Sequence, residues 1–438
     1  MKRIVSINNY KVDRERYEFI TKAVLIKDEE GKDRLFFTIL LKDKETQNIV
    51  NETGLERYIC DLSYANVISE STYRIATSRV VKLLNYILHN TKINMINELT
   101  VNEIRGFLNY AKTKSNGQMM KSDSWNKTIS DVFLFLTNYY KYNHETVRFG
   151  YTAEELRETV VIKEKGDVRL SRKIVISKNK TLHVKPPKEN DHKHRNRAIM
   201  YGHLNAIRYA ARKYDPMIHL AICLQAYGGL REGEVVNLSF SDISIYKRIG
   251  VTEKISLNLT KSDQFRKGKS HTGVIKKLRR QEIYPDFLED TEKALNDHKK
   301  YLEAKGLPTE GNNPVFYNKY KKAMSVTTYS GRLKELFNNH FLRILKYSSE
   351  NTEFEGETYA YIGSYEDEYP GAHMFRHWFT MYLITKKHLR PEEVRKWRGD
   401  SPHSNAYEEY LHTNYDLIEA YRDTAYSFQE SLLEDIYE

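Results

Sequence analysis

A histidine and an arginine three residues apart, His373 and Arg376, have the types and spacing that phosphate chemistry needs. The segment 373–383 reads HMFRHWFTMYL, and its apolar residues predict a largely buried helix. His373 and Arg376 share one face of such a helix, because residues three apart are neighbours. A guanidinium fixed beside an imidazole suits a phosphate whose charge changes during a reaction. For this helix alone, a structural histidine and a surface arginine are the simpler explanation.

A second arginine, Arg231, lies far upstream, directly after a pair of glycines. The mostly apolar segment 217–227 predicts a helix that runs into Gly228 and Gly229. Paired glycines allow a tight turn and leave a helix N-terminus open to an anion beside Arg231. Glu234 lies one helical turn after Arg231 and is placed to hold its guanidinium group.

In this order, the motifs resemble those of the tyrosine recombinase (phage integrase) family. The sequence has GLR-x-x-E at 229–234, H-x-x-R-H at 373–377 and Y-x-H at 410–412. Each motif alone is weak, whereas the three together at these spacings are fairly specific. The resemblance implies a mainly α fold with small β-sheets. It consists of a helical core-binding (SAM-like) domain, an α/β tyrosine-recombinase catalytic domain and a small β-rich N-terminal extension.

The resemblance also implies that the protein cuts and rejoins DNA strands through a 3′-phosphotyrosyl intermediate. Arg231 and Arg376 would bind the two nonbridging phosphate oxygens, a bidentate task that suits guanidinium groups. Their positive charge would stabilise the phenolate of the nucleophile, Tyr410. His373 would relay the tyrosine proton or donate a hydrogen bond to the phosphate. No metal and no nucleotide cofactor is implied.

Two of these assignments have rivals in the sequence. Lys261 directly follows a predicted strand and would protonate the leaving 5′ oxygen, as the resemblance implies for a lysine on this hairpin turn. Lys267 and Lys269 are the other lysines of that turn. Tyr410 has the family's distance from H-x-x-R and matches Y-x-H, and its rivals are Tyr407 and Tyr415.

The sequence departs from the family pattern at Asp400. The family has Gly-His, or Gly-Trp, about nine residues before the nucleophile, whereas here Gly399 is followed by an aspartate. A carboxylate cannot donate to a phosphate, and its charge would repel the anion. Either His403 or Trp397 substitutes, or the turn is reshaped, or activity is reduced. His377 is expected to support the helix.

Length, charge and cysteine content limit the class of protein. A chain of 438 residues predicts two or three domains, and 40% hydrophobic residues indicate a folded protein. The net charge of +11 favours a polyanionic partner such as nucleic acid. The two cysteines, Cys60 and Cys223, form no metal or disulfide pattern. Without a membrane-spanning run or signal-peptide core, we expect a cytoplasmic, nucleoid-associated bacterial protein.

The periodicity divides the chain into four parts. Residues 1–62 are a β-rich extension, interpreted either as an arm-type DNA-binding module or as a structural extension. Residues 63–148 form the helical core-binding domain, 149–197 a basic linker, and 198–438 the catalytic domain.

Local signals predict individual elements within these parts. Ser71 is predicted to cap the first helix, Thr100 and Glu103 to form a capping box, and residues 124–142 to form a third helix. The segment 159–176 could contribute strands, and 255–260 alternates as a strand. Further helices are predicted near 203–213, 216–227, 288–305 and 327–345.

Lysines and arginines outside the motifs are candidate phosphate contacts on DNA. These candidates are Arg74, Arg79, Lys82, Lys112, Lys114, Lys121, Lys127, Lys267 and Lys269.

The leading functional prediction is a site-specific recombinase that integrates or excises a mobile element. Its partner would be double-stranded DNA with specific recombination sites, bound as a homo-tetramer, with the free protein a monomer or weak oligomer. An accessory DNA-bending or excision factor is a further possible partner. The alternatives are a catalytically impaired DNA-binding protein of the same fold, which Asp400 favours, and a type IB topoisomerase.

Overall fold

The computed structural model divides the chain into two compact units, Met1–His192 and Lys193–Glu438. The described residues are 14–27, 31, 33–59, 69–114, 116–143, 180–187, 199, 202–262, 264–265, 267–268, 272–273, 275, 277–349 and 369–401, with the backbone alone of 158–163 and 171–176.

The described part of the N-terminal unit has a three-stranded antiparallel sheet of order β1-β2-β3, three α-helices and a separate two-stranded antiparallel sheet. Its elements are β1 (Tyr17–Lys27), β2 (Asp33–Asp43), β3 (Ile49–Glu52), α1 (Glu70–Asn90), α2 (Val101–Tyr110), α3 (Ser122–Asn143), β4 (Glu158–Lys163) and β5 (Ser171–Ile176).

Strands β1 and β2 share one hydrophobic core with helices α1, α2 and α3. Phe19 and Ile39 of the sheet belong to the same buried cluster as Val80 and Leu83 of α1 and Phe133 of α3. A sheet needs such a partner for its apolar face, because a short antiparallel sheet cannot bury that face alone. The β-rich segment therefore packs on the helices that follow it.

Helix capping follows the sequence closely, with one correction. Thr100 and Glu103 form the predicted capping box of α2, since the Glu103 carboxylate accepts from Thr100 N at 3.0 Å. The cap of α1 is Ser69 and not Ser71, because the Ser69 hydroxyl accepts from Thr72 N at 3.2 Å. The prediction was wrong by two residues because either serine precedes the same apolar stripe.

The C-terminal unit contains a three-stranded antiparallel sheet of order β6-β7-β8 and the remaining helices. Its elements are α4 (His203–Tyr214), α5 (Pro216–Gly228), α6 (Glu232–Val236), β6 (Ile243–Arg248), β7 (Val251–Leu259), β8 (Arg279–Glu282), α7 (Leu288–Ala304), α8 (Val326–Leu336), a π-helical turn (Phe337–Phe341), α9 (Leu342–Ser349), α10 (His373–Thr385) and α11 (Pro391–Arg398).

Helix α5 is the centre of this unit. Its residues are buried from Met217 to Gly228, and it packs against α4, α7 and α10. In β7, Ile255, Leu257 and Leu259 alternate toward the core, as strand periodicity predicts. Strand β6, which pairs with β7, had not been predicted.

The predicted fold class, mainly α with small β-sheets, is confirmed. Among the described residues, no helix combines the length and apolar character that crossing a membrane requires.

Candidate active site

The turn between α5 and α6 places Arg231. Gly229 ends α5 with φ of 62°, in the left-handed region. A Cβ at Gly229 would lie 2.7 Å from Phe379 Cδ1 of α10, so only glycine allows this close approach. Arg231 then takes the N-cap position of α6, and its side chain remains partly exposed.

Glu234 lies at the base of the site and is completely buried. Its carboxylate accepts from Arg231 N at 2.9 Å and Arg231 Nη1 at 3.1 Å. It also accepts from Arg279 Nη1 at 2.7 Å and Nη2 at 3.0 Å. Burial alone would raise the pKa of Glu234, but the hydrogen bonds and charges of Arg279 and Arg231 outweigh it and lower the pKa. Glu234 is thus an anion at neutral pH that orients two guanidinium groups.

Arg376 enters from α10 and is only 1% exposed. Its Nη1 donates to the Gly229 carbonyl, and its Nη2 lies 2.5 Å from Asp400 Oδ1. Burial, together with the neighbouring Arg398 and Arg231, lowers the pKa of Arg376 to about 9, so the group stays charged at neutral pH.

Asp400 follows α11 and lies among the arginines. Its Oδ1 accepts from both Arg231 Nη2, at 2.9 Å, and Arg376 Nη2. Its Oδ2 lies 3.0 Å from Arg398 Nε, and its backbone carbonyl accepts from Lys277 Nζ at 2.9 Å.

We call the group formed around Glu234 and Asp400 the arginine cluster. It consists of Arg231, Arg279, Arg376, Arg398, Glu234 and Asp400. Arg231 and Arg376 come from segments 145 residues apart, yet both reach one carboxylate oxygen. The cluster can therefore bind a single small oxyanion through two guanidinium groups.

His373 and His377 lie on α10 beside the cluster. His373 is the first residue of α10, is exposed, and precedes Arg376 by one turn. The ring centroids of the two histidines are 5.1 Å apart, in an edge-on arrangement.

Lys261 lies just beyond β7, which ends at Leu259, in the connection from β7 to β8 that we call the Lys261 loop. Its Nζ lies 3.4 Å from Asp242 Oδ1, and its backbone carbonyl accepts from Asn237 Nδ2 at 2.6 Å. Burial alone would raise the pKa of Asp242. Hydrogen bonds from Gln264 and Ser239 and the charge of Lys261 outweigh burial, so the pKa is lowered.

Two further candidates, Lys267 and Trp397, have different surroundings. Lys267 is exposed in the same loop. Trp397 packs against Tyr284 with ring centroids 4.8 Å apart, and its backbone carbonyl accepts from Gln281 Nε2 at 2.6 Å. The Trp397 ring is therefore part of the packing under the site.

Several sequence-predicted site residues lie outside the described residues. They are the nucleophile candidates Tyr410, Tyr407 and Tyr415, together with His403 and Lys269.

The basic candidates of the N-terminal unit differ in their surroundings. Arg74, Arg79 and Lys82 line one open groove of about 650 Å³ between the sheet and helices α1 and α3. Arg79 is paired with Asp131 at 2.5 Å, and Lys82 donates to the Thr113 carbonyl at 2.7 Å. Burial lowers the pKa of Lys82.

The remaining basic candidates of this unit lie on or near the surface. Lys112 is half-buried and donates to Asn109 Oδ1 at 3.0 Å, whereas Lys114, Lys121 and Lys127 are exposed.

Sequence reasoning missed Arg279, Arg398 and Lys277. Arg279 and Arg280 are adjacent in β8, and only the alternation of a strand separates the partly buried Arg279 from the exposed Arg280. Arg398 belongs to a run of basic residues in the last turn of α11, which is typical of a solvated helix end. Within the described residues, no three His, Cys, Asp or Glu side chains come together as a metal site would require.

The sequence matches no family model and no curated protein. The chain is similar at low identity to a number of solved structures, three of which follow. A crystal structure of a lambda integrase dimer bound to a COC′ core site is 14% identical, covers 81% of this chain and 93% of the other, and has a TM-score of 0.47. A structure of the Tn1549 transposon integrase in complex with circular intermediate DNA is 14% identical, with coverages of 84% and 97% and a TM-score of 0.46. A crystal structure of XerA recombinase is 18% identical, with coverages of 84% and 96% and a TM-score of 0.34.

Proposed function

We propose that this protein is a site-specific DNA recombinase that cuts and rejoins strands through a 3′-phosphotyrosyl bond to Tyr410. The observation that carries the proposal is the convergence of Arg231 and Arg376 on Asp400 Oδ1. Two guanidinium groups that reach one carboxylate oxygen can also bind the nonbridging oxygens of one phosphodiester. The net charge of +11 supports a nucleic-acid substrate.

The proposed reaction gives each of these groups one task. Tyr410 Oη forms a bond to phosphorus while the bond from phosphorus to the 5′ oxygen breaks. Lys261 gives a proton to that leaving oxygen, and His373 takes the tyrosine proton or donates to the phosphate. Arg231 and Arg376 neutralise the charge that accumulates on the nonbridging oxygens. Rejoining is the reverse, with a 5′ hydroxyl as the nucleophile.

The arginine pair is held in place before substrate arrives. Glu234 orients Arg231, and the Gly229 carbonyl orients Arg376. Such preorganisation is the main source of electrostatic catalysis, because nothing has to be reoriented during the reaction.

The biological setting follows from the same proposal. Recombination joins two duplexes, so the protein would act on double-stranded DNA as a homo-tetramer at specific sites. The extra β-rich segment and the insertion 350–368 favour integration or excision of a mobile element over a housekeeping role.

A nicked duplex tests the proposal. The fragment beyond the nick diffuses away with its 5′ hydroxyl, so the strand cannot be rejoined and the covalent adduct accumulates. We expect a protein–DNA adduct that survives denaturation and is absent from Tyr410→Phe. Tyr407→Phe is the matched control and should retain the adduct. An adduct lost in Tyr407→Phe and kept in Tyr410→Phe would reassign the nucleophile. Absence of an adduct in every variant would contradict the proposal.

A second candidate is a DNA-binding protein of this fold that does not cleave. Asp400 favours it, since a carboxylate occupies the place between the arginines where a phosphate would bind. Binding of DNA without any adduct on the nicked duplex is its expected signature.

A further inference from the structure

The Asp400 carboxylate occupies the one position in the described residues that both Arg231 and Arg376 reach. Its Oδ1 accepts a hydrogen bond from each of them. Its side chain is 6% exposed, so the contact is nearly closed to solvent. A carboxylate with one oxygen between two guanidinium groups is a stand-in for an oxyanion ligand.

The two carboxylates of the arginine cluster are held very differently. Glu234 uses both oxygens, with four hydrogen bonds from Arg231 and Arg279. Asp400 accepts hydrogen bonds through Oδ1 only, whereas Oδ2 forms an ion pair with Arg398 Nε at 3.0 Å and accepts no hydrogen bond from any described residue. Asp400 therefore receives fewer hydrogen bonds than Glu234 and is the less firmly held of the two carboxylates.

The backbone of Asp400 is fixed independently of its side chain. Asp400 N donates to the Arg395 carbonyl at 2.9 Å, and the Asp400 carbonyl accepts from Lys277 Nζ at 2.9 Å. The carboxylate can therefore leave the arginines by rotation about χ1 while the turn after α11 stays in place.

We propose that Asp400 is an internal competitor for the phosphate site: it neutralises Arg231 and Arg376 in the free protein and is displaced by the DNA phosphodiester. The inference rests on the proposed function, since it identifies what the phosphate must displace. A phosphate and a carboxylate cannot share these donors, because two anions at this distance repel one another.

Competition of this kind has two consequences. Without an anion, Arg231, Arg376 and Arg398 would repel one another in a nearly closed space, so Asp400 stabilises the free protein. While Asp400 occupies the site, the apparent affinity for an external phosphate is reduced by the fraction of molecules whose site is open. An isolated phosphate then binds weakly, whereas a phosphodiester held by further DNA contacts can displace the carboxylate.

The charge of Asp400 is the quantity to change. Asp400→Asn keeps the shape and removes the charge, and Asp400→Ser is a second neutral variant that keeps an oxygen. Glu392→Gln is the matched control, since Glu392 is an exposed acid on α11 that pairs only with Arg395, at 3.6 Å, among the described residues. The probe is inorganic phosphate, titrated by calorimetry into the full chain in a phosphate-free buffer.

Internal competition predicts that Asp400→Asn and Asp400→Ser bind phosphate at least about tenfold more tightly than wild type. Glu392→Gln should change the affinity less than about twofold, because exposed charges are screened. Both Asp400 variants should also melt at a lower temperature than wild type without phosphate, and added phosphate should close most of that gap.

The competitor role is overturned if the neutral variants bind phosphate no more tightly than Glu392→Gln does. It is also overturned if neither variant folds even with phosphate present, since Asp400 would then be a structural residue. The nicked duplex separates this inference from the proposed function. A tenfold gain in phosphate affinity with no adduct in any variant would contradict the proposed recombinase function and support Asp400 as the competitor. An adduct in wild type, with no gain in phosphate affinity in the neutral variants, would support the proposed function and contradict the competitor role of Asp400.

Discussion

The arginine cluster and the Lys261 loop are both cationic, but they are built in opposite ways. Arg376 is 1% exposed and Glu234 is fully buried, with each charge held by several partners. The Lys261 side chain is 46% exposed, and it lies 3.4 Å from Asp242 at the end of a strand. The cluster joins α6, α10, α11 and β8, whereas the loop follows β7 alone.

This difference separates two tasks in the proposed reaction. Neutralising a phosphate requires fixed charges, and fixing them is part of folding. To deliver a proton, a side chain must extend to the leaving oxygen, and a half-exposed lysine on a loop can do so. Replacing an arginine of the cluster should therefore damage stability and activity together, whereas replacing Lys261 should damage activity alone.

The largest effect is expected for Arg376→Ala. The substitution leaves Asp400 and the Gly229 carbonyl without their buried donor, so the free energy of unfolding should fall by about 3–5 kcal/mol. Urea unfolding followed by circular dichroism measures the change, and adduct formation should be lost. Arg280→Ala, exposed in β8, is the control and should cost less than about 0.5 kcal/mol. Equal free energies of unfolding for Arg376→Ala and Arg280→Ala would contradict the argument that the buried cluster depends on its fixed charges for stability.

Glu234→Gln should follow, with a loss of about 3 kcal/mol at pH 7 because Arg231 and Arg279 lose their buried counter-charge. The pKa of Glu234 is lowered in the folded protein, so its stabilisation is complete above the ordinary glutamate pKa of about 4.3. It disappears as the pH falls through the lowered folded value. Wild type and Glu234→Gln should therefore converge in stability as unfolding is measured from pH 7 down to pH 3. A difference that stays constant over this range would contradict the argument.

Gly399→Ala and Gly268→Ala compare the two regions at the level of the backbone. Both glycines have positive φ, 63° and 57°, but a Cβ at Gly399 would lie 2.1 Å from Arg279 Nε, whereas no atom of the described residues lies within 4 Å of one at Gly268. Gly268→Ala in the Lys261 loop should cost about 1 kcal/mol for the left-handed backbone alone. Gly399→Ala should cost about 2–3 kcal/mol, since Arg279 must also shift. Thermal unfolding of the two variants side by side would reveal whether the cluster adds this difference.

The smallest effect on stability is expected for Lys261→Met. A half-exposed ion pair contributes less than about 1 kcal/mol, so the unfolding midpoint should hardly move. The rate of adduct formation on the nicked duplex should nevertheless fall about 10²–10⁴-fold, as for loss of a general acid. Lys267→Met is the matched control and should keep the rate. A reversed result would move the proton donor to Lys267.

Much of the fold was predictable because it depends on local patterns. The apolar stripes of α1, α3, α5 and α10 and the capping box at Thr100 were read from spacings within one helix. Strand β6 was missed because it carries only two inward positions, Ile243 and Ile245, in six residues.

The site was predictable only in part, because its contacts are remote in sequence. Glu234 and Arg231 are one turn apart and could be paired from spacing, but Arg279 is 45 residues from Glu234 and had no local signal. Asp400 was expected to repel a phosphate, and the sequence alone could not show that its charge is neutralised by Arg231 and Arg376. A sequence gives the charge of a residue, whereas its partners depend on the tertiary fold.

The left-handed turn at Gly399 also bears on how this protein could evolve. The turn and the backbone contacts of residue 400 fix where that side chain is delivered, whichever residue is present. Aspartate, asparagine and histidine codons differ by a single nucleotide, so one point mutation can exchange an acid for an amide or a base between the same two arginines. Lineages could thereby adjust how readily the proposed recombinase binds DNA without rebuilding the scaffold around the site.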